Sequence, residues 1–117
     1  MKNIQTGISG TAEITISENE MAVNVGSGSL NVFATPCMAA LMEKSACDCL
    51  SGYMEDDETT VGTELNIKHV SATPVGMKVT AEAVLTEING REFIFSVKAY
   101  DETGLIGEGT HKRFLVK

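Results

Sequence analysis

One long helical pattern constrains this chain more than any other feature. From Pro36 to Tyr53, apolar and small residues recur every three or four positions, which predicts an amphipathic helix of about four to five turns. Pro36 suits the first position of a helix, and Thr35 before it is a good N-cap. The rest of the chain shows either turn signals or the alternation of apolar and polar residues that is typical of strands. A core can therefore form only where this helix lies across a sheet.

Alternating apolar and polar residues predict strands on both sides of the helix. Thr11–Ser17 (TAEITIS) is one, and a second short strand is predicted at MAVNV, before the small-residue loop GSGS. After the helix, turn signals at Thr73–Gly76, Asn89-Gly90 and Asp101–Gly104 separate four more strands. Their sequences are TVGTELNIKHVSA, MKVTAEAVLTEI, REFIFSVKAY and LIGEGTHKRFLVK.

An antiparallel meander that curls around one long helix is the α+β architecture called the hotdog fold. The 117 residues are enough to bury one core, so we expect a single domain spanning residues 1–117. One helix leaves much of such a sheet uncovered, which predicts that two copies of the chain associate.

Composition and charge exclude several classes of partner. The formal net charge is −7, whereas a nucleic-acid partner normally requires a basic face. No apolar run approaches the roughly 20 residues that span a bilayer, so no membrane partner is expected. The first ten residues, MKNIQTGISG, lack the apolar segment of a signal peptide, and we therefore expect a cytoplasmic protein.

The cysteines and histidines do not indicate a disulfide framework, and they support a metal site only poorly. On a helix, Cys47 and Cys49 would point about 200° apart, so they cannot hold one ion together or bridge each other. Cys37 and the two histidines show no ligand spacing typical of zinc. We therefore expect no bound metal.

Thr35 and Glu43 are candidate site residues in the predicted helix. Thr35 is either a simple N-cap, contributing roughly 1 kcal/mol, or part of an oxyanion hole at the positive end of the helix. Glu43 lies at most about 12 Å further along the helix, among small residues. It either faces water beside Lys44 or faces a cavity, where it and Thr35 could bracket a bound substrate.

Two further candidates come from the strands. His69 shares the parity of the apolar residues in its strand, such as Val61, which fits a hydrogen-bonded core histidine or a base for acyl transfer. His111-Lys112-Arg113 is the only basic cluster, and alternation places His111 and Arg113 on one face. The cluster either protects an exposed edge strand or grips a phosphate group.

Three segments are distinctive: ATPCMAALMEKSA, TVGTELNIKHVSATPVGMKVTAEA and DETGLIGEGTHKRFLV. With the unusual string H-x-x-A-T-P-x-G-M, they closely resemble the hotdog thioesterases of the fluoroacetyl-CoA thioesterase type, over roughly Val23 to Val116. The resemblance implies hydrolysis of an acyl-CoA to free acid and CoA, without a metal or other cofactor. It also implies a homodimer, or a tetramer of such dimers, with sites near the subunit interface.

The same resemblance implies a catalytic set of Thr35 in A-T-P, Glu43 in L-M-E and His69 in K-H-V. It further implies that the backbone of Gly62, in T-V-G-T, lines the substrate site and that Arg113, in H-K-R-F, is an active-site arginine. Whether Thr35, Glu43 or a water molecule attacks the thioester is left open.

One region departs from the fluoroacetyl-specific pattern. That pattern has a phenylalanine-bearing lid upstream of the helix, whereas this chain has NVGSGSLNVF, in which Phe33 is the only aromatic residue. We therefore expect Phe33 to line the substrate site and the substrate to be an ordinary, short acyl-CoA. The alternatives are a non-catalytic protein that binds an acyl-CoA or similar metabolite, and an enoyl-CoA hydratase or dehydratase.

Overall fold

The computed structural model describes residues 1–117 as a five-stranded sheet packed against one long helix. The elements are β1 (Ser9–Thr15), a 3-10 helix (Glu18–Glu20), α1 (Ala22–Val25), α2 (Thr35–Ser51), β2 (Thr59–His69), β3 (Lys78–Asn89), β4 (Glu92–Asp101) and β5 (Gly104–Val116). Every pair of neighbouring strands is antiparallel, and their order is β1-β3-β4-β5-β2. This is the α+β hotdog fold predicted from the sequence.

Helix α2 forms the second layer and buries its apolar face on the sheet. Its buried residues recur every three or four positions, the spacing that predicted an amphipathic helix. They are Met38, Leu41, Met42, Ser45, Ala46, Cys49 and Leu50. The inward residues of β3 and β4, such as Leu85 and Phe95, belong to the same core. Each fully buried side chain of this size contributes roughly 1.5–3 kcal/mol, so together they hold the helix in one position. None of the helices is both long enough and apolar enough to cross a membrane.

The helix approaches β1 closely because Gly10 has no side chain. Gly10 is buried, and a Cβ atom there would collide with the backbone of Ser45 and Cys49. The helix therefore contacts the sheet with its own backbone at this point, and its distance from β1 is set by this glycine.

The strand predicted at MAVNV is wrong. Ser17 and Glu20 form a capping box, in which the Glu20 carboxylate accepts from the Ser17 N–H at 2.8 Å. This box begins the 3-10 helix, and the chain continues into α1, which ends at Gly26 with a left-handed φ of 79°. Ala22–Val25 therefore form a short helix outside the sheet, before α2 begins.

The parity predicted for the first half of β2 is also wrong. The register shifts between Gly62 and Glu64, which indicates a bulge. Gly62 is therefore opposite Arg113 on the inward face, while Val61 points outward and is 47% exposed. After the bulge the predicted parity holds, so His69 faces inward.

The basic cluster does not lie on an edge strand, because β5 pairs with β4 on one side and with β2 on the other. His111 and Arg113 share one face, as predicted, and this face is the inward one, where both are buried. Lys112 points the other way, 3.7 Å from Glu64. The free edges of the sheet are β1 and β2, and β2 is the longer of the two.

The predicted turns lie where the strands reverse. Gly76, Gly90 and Gly104 have φ values of 100°, 63° and 143°, a range that side chains rarely adopt. Asn89 pairs with Glu92, so the β3–β4 hairpin has a two-residue connection that starts with Gly90. The positive φ of that first residue is typical of a type II′ turn.

We expect Gly10→Ala to lower the free energy of unfolding by about 1–3 kcal/mol or more, because the methyl group must push α2 away from β1. Gly52→Ala is a matched control, since Gly52 follows the last residue of α2, with open space around its Cβ position and an ordinary φ of −76°. That control should change stability by no more than about 1 kcal/mol. Urea unfolding of both variants measures the difference, and equal effects would contradict the close approach.

Candidate active site

Thr35 and His69 lie together at the start of α2. Helical dihedral angles begin at Thr35 and Ala34 takes the N-cap position, so the predicted N-cap role of Thr35 is wrong by one residue. The Thr35 hydroxyl lies instead 2.8 Å from Nδ1 of His69, the last residue of β2. The helix and the strand thus bring a hydroxyl and an imidazole into direct contact.

The first turn of α2 leaves one backbone donor free beside this pair. Pro36 has no N–H, and the N–H groups of Cys37 and Met38 both donate to the Ala34 carbonyl at 3.0 Å. The N–H of Thr35 has no such partner. It points out of the positive end of the helix dipole, next to the Thr35 hydroxyl, where negative charge is stabilised.

An open cavity of about 430 Å³ ends at these two residues. One wall is formed by the segment between α1 and α2, which includes Ser27, Gly28 and Leu30. The residues that follow β2 form the other wall. Phe33 also lines this cavity, with its ring edge-on to the His69 ring at a centroid distance of 6.3 Å. The Phe33 N–H donates to the Thr73 carbonyl at 2.9 Å, which anchors this wall to the loop after β2.

Glu43 lies in a second polar group, further along α2. Its Oε2 atom is 3.8 Å from an Nη atom of Arg113. A Cβ atom on Gly62 would lie 2.8 Å from the same Glu43 oxygen, so the carboxylate rests directly on the backbone of Gly62. The structure thus brings together Glu43, Gly62 and Arg113, three of the residues singled out in the sequence.

Within one chain the two groups lie apart. Gly62 lies in the first half of β2 and His69 is its last residue, seven positions further on, which corresponds to roughly 20 Å of strand. No hydrogen bond or ion pair joins Glu43 to Thr35 or His69. One chain therefore holds Thr35 and His69 at the C-terminal end of the edge strand and Glu43 over its first half.

The His69 ring is neutral near pH 7. Burial lowers its pKa, and the neighbouring backbone of Ser71 opposes this only in part. When Nδ1 accepts the Thr35 hydroxyl proton, the hydrogen of the ring lies on Nε2, which is buried and has no hydrogen-bond partner. A neutral imidazole with a free Nδ1 lone pair is the form that acts as a base toward a hydroxyl group.

Comparison with known proteins identifies the family. Residues 16–117 match the model of the family described as FlK, fluoroacetyl-CoA-specific thioesterase. The chain belongs to this family. The fluoroacetyl-CoA thioesterase of Streptantibioticus cattleyicolor is 39% identical to it over 85 residues, which cover 73% of this chain and 61% of that relative. The chain thus aligns with less than two thirds of the relative's length.

Several solved structures share the fold. The fluoroacetyl-CoA thioesterase FlK matches with a TM-score of 0.91 at 29% identity, covering 98% of this chain and 90% of that chain. A mutant of FlK in complex with acetyl-CoA matches with a TM-score of 0.90, also at 29% identity, over 97% and 90% of the two chains. A thioesterase superfamily member from Thermus thermophilus has a TM-score of 0.91 at 24% identity, over 99% and 86%.

Two residues that support the Glu43 group were not singled out for this role from the sequence. Thr60 accepts from Arg113 Nε at 2.9 Å through its hydroxyl and from an Nη atom at 3.0 Å through its carbonyl. His111 lies 3.1 Å from the other Nη atom. The shared parity of His111 and Arg113 was a signal for the second contact. No local signal pointed to Thr60, because it reaches Arg113 from a neighbouring strand.

The structure contains no cluster of side chains that could bind a metal ion. No three His, Cys, Asp or Glu side chains lie close enough together to bind one ion. The three cysteines are free thiols, with Cys49 buried, Cys37 half-buried and Cys47 exposed.

We expect the free energy of unfolding to fall as the pH drops below about 6.5, the pKa of histidine in an unfolded chain. Burial lowers the pKa of both His69 and His111 in the folded chain, so the unfolded chain binds more protons in this range. Urea unfolding at a series of pH values between about 5 and 7.5 measures the slope. His69→Gln and His111→Gln should each reduce it, and a stability independent of pH would contradict the burial of both rings.

Proposed function

We propose that this protein is an acyl-CoA thioesterase that hydrolyses an acyl-CoA to the free acid and CoA. The observation that carries the proposal is the 2.8 Å contact between the Thr35 hydroxyl and His69 Nδ1, at the end of an open cavity, in a chain of this family. The single hotdog domain provides both residues from elements that the core holds rigidly.

In the proposed reaction His69 is the general base. Its Nδ1 atom takes a proton from the Thr35 hydroxyl, or from a water molecule beside it, as the oxygen attacks the thioester carbonyl carbon. A C–O bond forms, and the carbonyl oxygen becomes negatively charged. Collapse of this intermediate breaks the C–S bond, and the proton on His69 passes to the CoA sulfur. If Thr35 attacks, a water molecule activated by His69 then hydrolyses the acyl ester.

The start of α2 stabilises the charge that develops on the carbonyl oxygen. The free N–H of Thr35 and the positive end of the helix dipole lie beside the attacking oxygen, which places a donor where an oxyanion forms. Donors held in this way by a folded backbone do not have to reorganise during the reaction. The removal of one such donor typically costs about 10²–10³ in rate.

Glu43 joins this site if the active unit is a homodimer. The outer edge of β2 has no partner strand, and most of its residues are exposed. Such an edge is a ready template for pairing with a second copy. Because β2 of one chain would run antiparallel to β2 of the other, a twofold axis near Leu65 places Gly62 of the second copy opposite the end of β2 that carries His69.

This pairing supports a site built from both chains. Gly62, Leu65, Ile67 and His69 face the helix side of the sheet, so Gly62 of one chain and His69 of the other lie on the same face. Glu43 rests on Gly62 and is paired with Arg113, and both would move with Gly62 toward the Thr35–His69 pair. In this position Glu43 can orient a water molecule or attack the carbonyl itself, while the Gly62 backbone lines the substrate.

We propose a short acyl-CoA as the substrate, without selectivity for the fluoroacetyl group. The wall of the cavity is made of serines, glycines and aliphatic residues in the region between Gly26 and Val32, and Phe33 is the only ring beside His69. A Cβ atom on Gly28 would have only the Ala22 side chain within 4 Å, so this wall leaves open space. Small and polar walls offer little to distinguish a fluorine atom from a hydrogen.

The cytoplasm is the location we propose for this protein. Its three cysteines are free, as is usual for proteins of a reducing compartment. The formal net charge of −7 gives no support for a nucleic-acid partner.

Thiol release from a panel of acetyl-, fluoroacetyl-, butyryl- and enoyl-CoA substrates tests the activity. We expect hydrolysis of the short acyl-CoAs, with a fluoroacetyl-CoA rate no higher than its greater chemical reactivity explains. Thr35→Ala and His69→Ala should each lower kcat/KM by at least about 10²-fold, since each removes a reacting group. Thr86→Ala, which removes an exposed hydroxyl on β3, away from the cavity and from β2, is the control and should leave the rate unchanged.

Two results would contradict this activity. Thermal stabilisation by acyl-CoAs without thiol release would identify a binding protein instead. Addition of water to the enoyl-CoA, with its thioester intact, would identify a hydratase.

A heterodimer experiment tests whether the site is shared. His69→Ala and Glu43→Gln are co-expressed with two different affinity tags, and the mixed dimer is isolated. If each site takes His69 from one chain and Glu43 from the other, the mixed dimer keeps one intact site and about half of the wild-type activity. Both parental homodimers should be nearly inactive.

The matched control is a mixed dimer of wild type and His69→Ala, which has one intact site under either arrangement. If Glu43 and His69 of the same chain worked together, the doubly substituted mixed dimer would be inactive while this control kept half of the activity. That outcome would overturn the shared site.

A further inference from the structure

His111 is buried behind the Glu43 group, and the proposed reaction does not use it. Its ring is 1% exposed and stacks on Phe95, with a centroid distance of 6.2 Å and an interplanar angle of 29°. Both ring nitrogens have partners. Nδ1 lies 2.8 Å from the Glu64 carbonyl oxygen, and Nε2 lies 3.1 Å from an Nη atom of Arg113.

These two contacts define the protonation state of the ring. A carbonyl oxygen only accepts hydrogen bonds, so the hydrogen must lie on Nδ1. A guanidinium group only donates, so Nε2 must carry a lone pair. The site therefore requires neutral His111 with its hydrogen on Nδ1, and a second proton on Nε2 would face the Arg113 cation directly.

Arg113 is held on three sides by neutral acceptors. The Thr60 hydroxyl accepts from Nε, the Thr60 carbonyl accepts from one Nη atom, and His111 accepts from the other. The Nη atom bonded to His111 is the same one that lies 3.8 Å from Glu43. His111 therefore sets the direction of the N–H groups that face the carboxylate.

We propose that His111 is a positioning residue, which in its neutral form holds the Arg113 guanidinium against Glu43 at the Gly62 backbone and releases it when protonated. The proposal rests on the proposed function in one respect only, namely that this Glu43 group takes part in hydrolysis. His111 touches no substrate and acts through Arg113.

The groups around His111 agree with a neutral ring at pH 7. Arg113 on the same strand disfavours a second positive charge, whereas Glu43 on α2 favours it. From β2 the Glu64 carbonyl and the uncharged backbone of Gly62 face the ring, and from β4 the apolar Phe95 covers it. Burial is the largest effect and lowers the pKa of His111, so release of Arg113 occurs below about pH 6.5.

Two substitutions separate the acceptor at Nε2 from the donor at Nδ1. His111→Asn places its amide near the Nδ1 position, so it can still donate to the Glu64 carbonyl but leaves Arg113 without its acceptor. His111→Gln is one bond longer and places an amide oxygen near the Nε2 position. We expect kcat/KM to fall about 10-fold or more for the asparagine variant, a loss like that seen when the hydrogen-bond partner of a metal ligand is removed, and to stay within about 3-fold of wild type for the glutamine variant.

Nuclear magnetic resonance of the free protein gives readouts that do not depend on activity. The chain has two histidines, so the spectrum of His69→Gln assigns the imidazole nitrogens of His111. At pH 7.5 we expect the uncommon form with hydrogen on Nδ1. The Nη protons of Arg113 should exchange slowly in wild type, broaden as the pH falls toward 5, and remain unchanged over this range in His111→Gln.

The proposal would be overturned if the His111 hydrogen were on Nε2 at pH 7.5. It would also be overturned if the Arg113 Nη signals were the same in wild type and in both variants. Equal activity of the asparagine and glutamine variants would also overturn it. The absence of any thioester hydrolysis by wild type would overturn the proposed function instead, because the tautomer and the Arg113 signals are read without substrate.

Discussion

Helix α2 has one apolar stripe, and the contact of its backbone with Gly10 determines how it lies on the sheet. Most residues would separate the helix from β1, whereas a glycine lets the two backbones touch. The buried leucines and methionines then fix the rotation of the helix about its axis. Thr35 is consequently brought over the end of β2 and Glu43 over Gly62, so both polar groups depend on the same packing.

The edge strand β2 connects these two groups. It carries Gly62 in its first half and His69 at its end. One of its two edges is hydrogen-bonded to β5, and the other edge is free. The bulge after Gly62 turns that glycine inward and gives the carboxylate of Glu43 a surface of bare backbone to rest on. A single chain keeps the two groups apart, so Glu43 can join the Thr35–His69 pair only in the proposed pairing of two chains at the free edge of β2.

The Glu43 group shows how a buried cation is stabilised without a close ion pair. Arg113 is 7% exposed, and its distance of 3.8 Å from Glu43 is long for a hydrogen bond. Thr60 and neutral His111 satisfy its donors instead. An unpaired cation would be costly in this position, so the protonation state of His111 matters to a residue that lies two positions along the strand.

The sequence by itself determined the class of fold, because helical and strand periodicities are local and turn glycines mark the ends of strands. Its patterns also singled out Thr35, Glu43, His69 and the cluster that contains Arg113 as candidates, and the resemblance to a known family added Gly62. The tertiary structure decided how these residues combine. The bulge that turns Gly62 inward and Val61 outward, the Thr60 contacts of Arg113 and the separation of Glu43 from His69 all depend on pairing between strands distant in sequence. No local pattern encodes such pairing, since register is set by the packing of the whole sheet on α2.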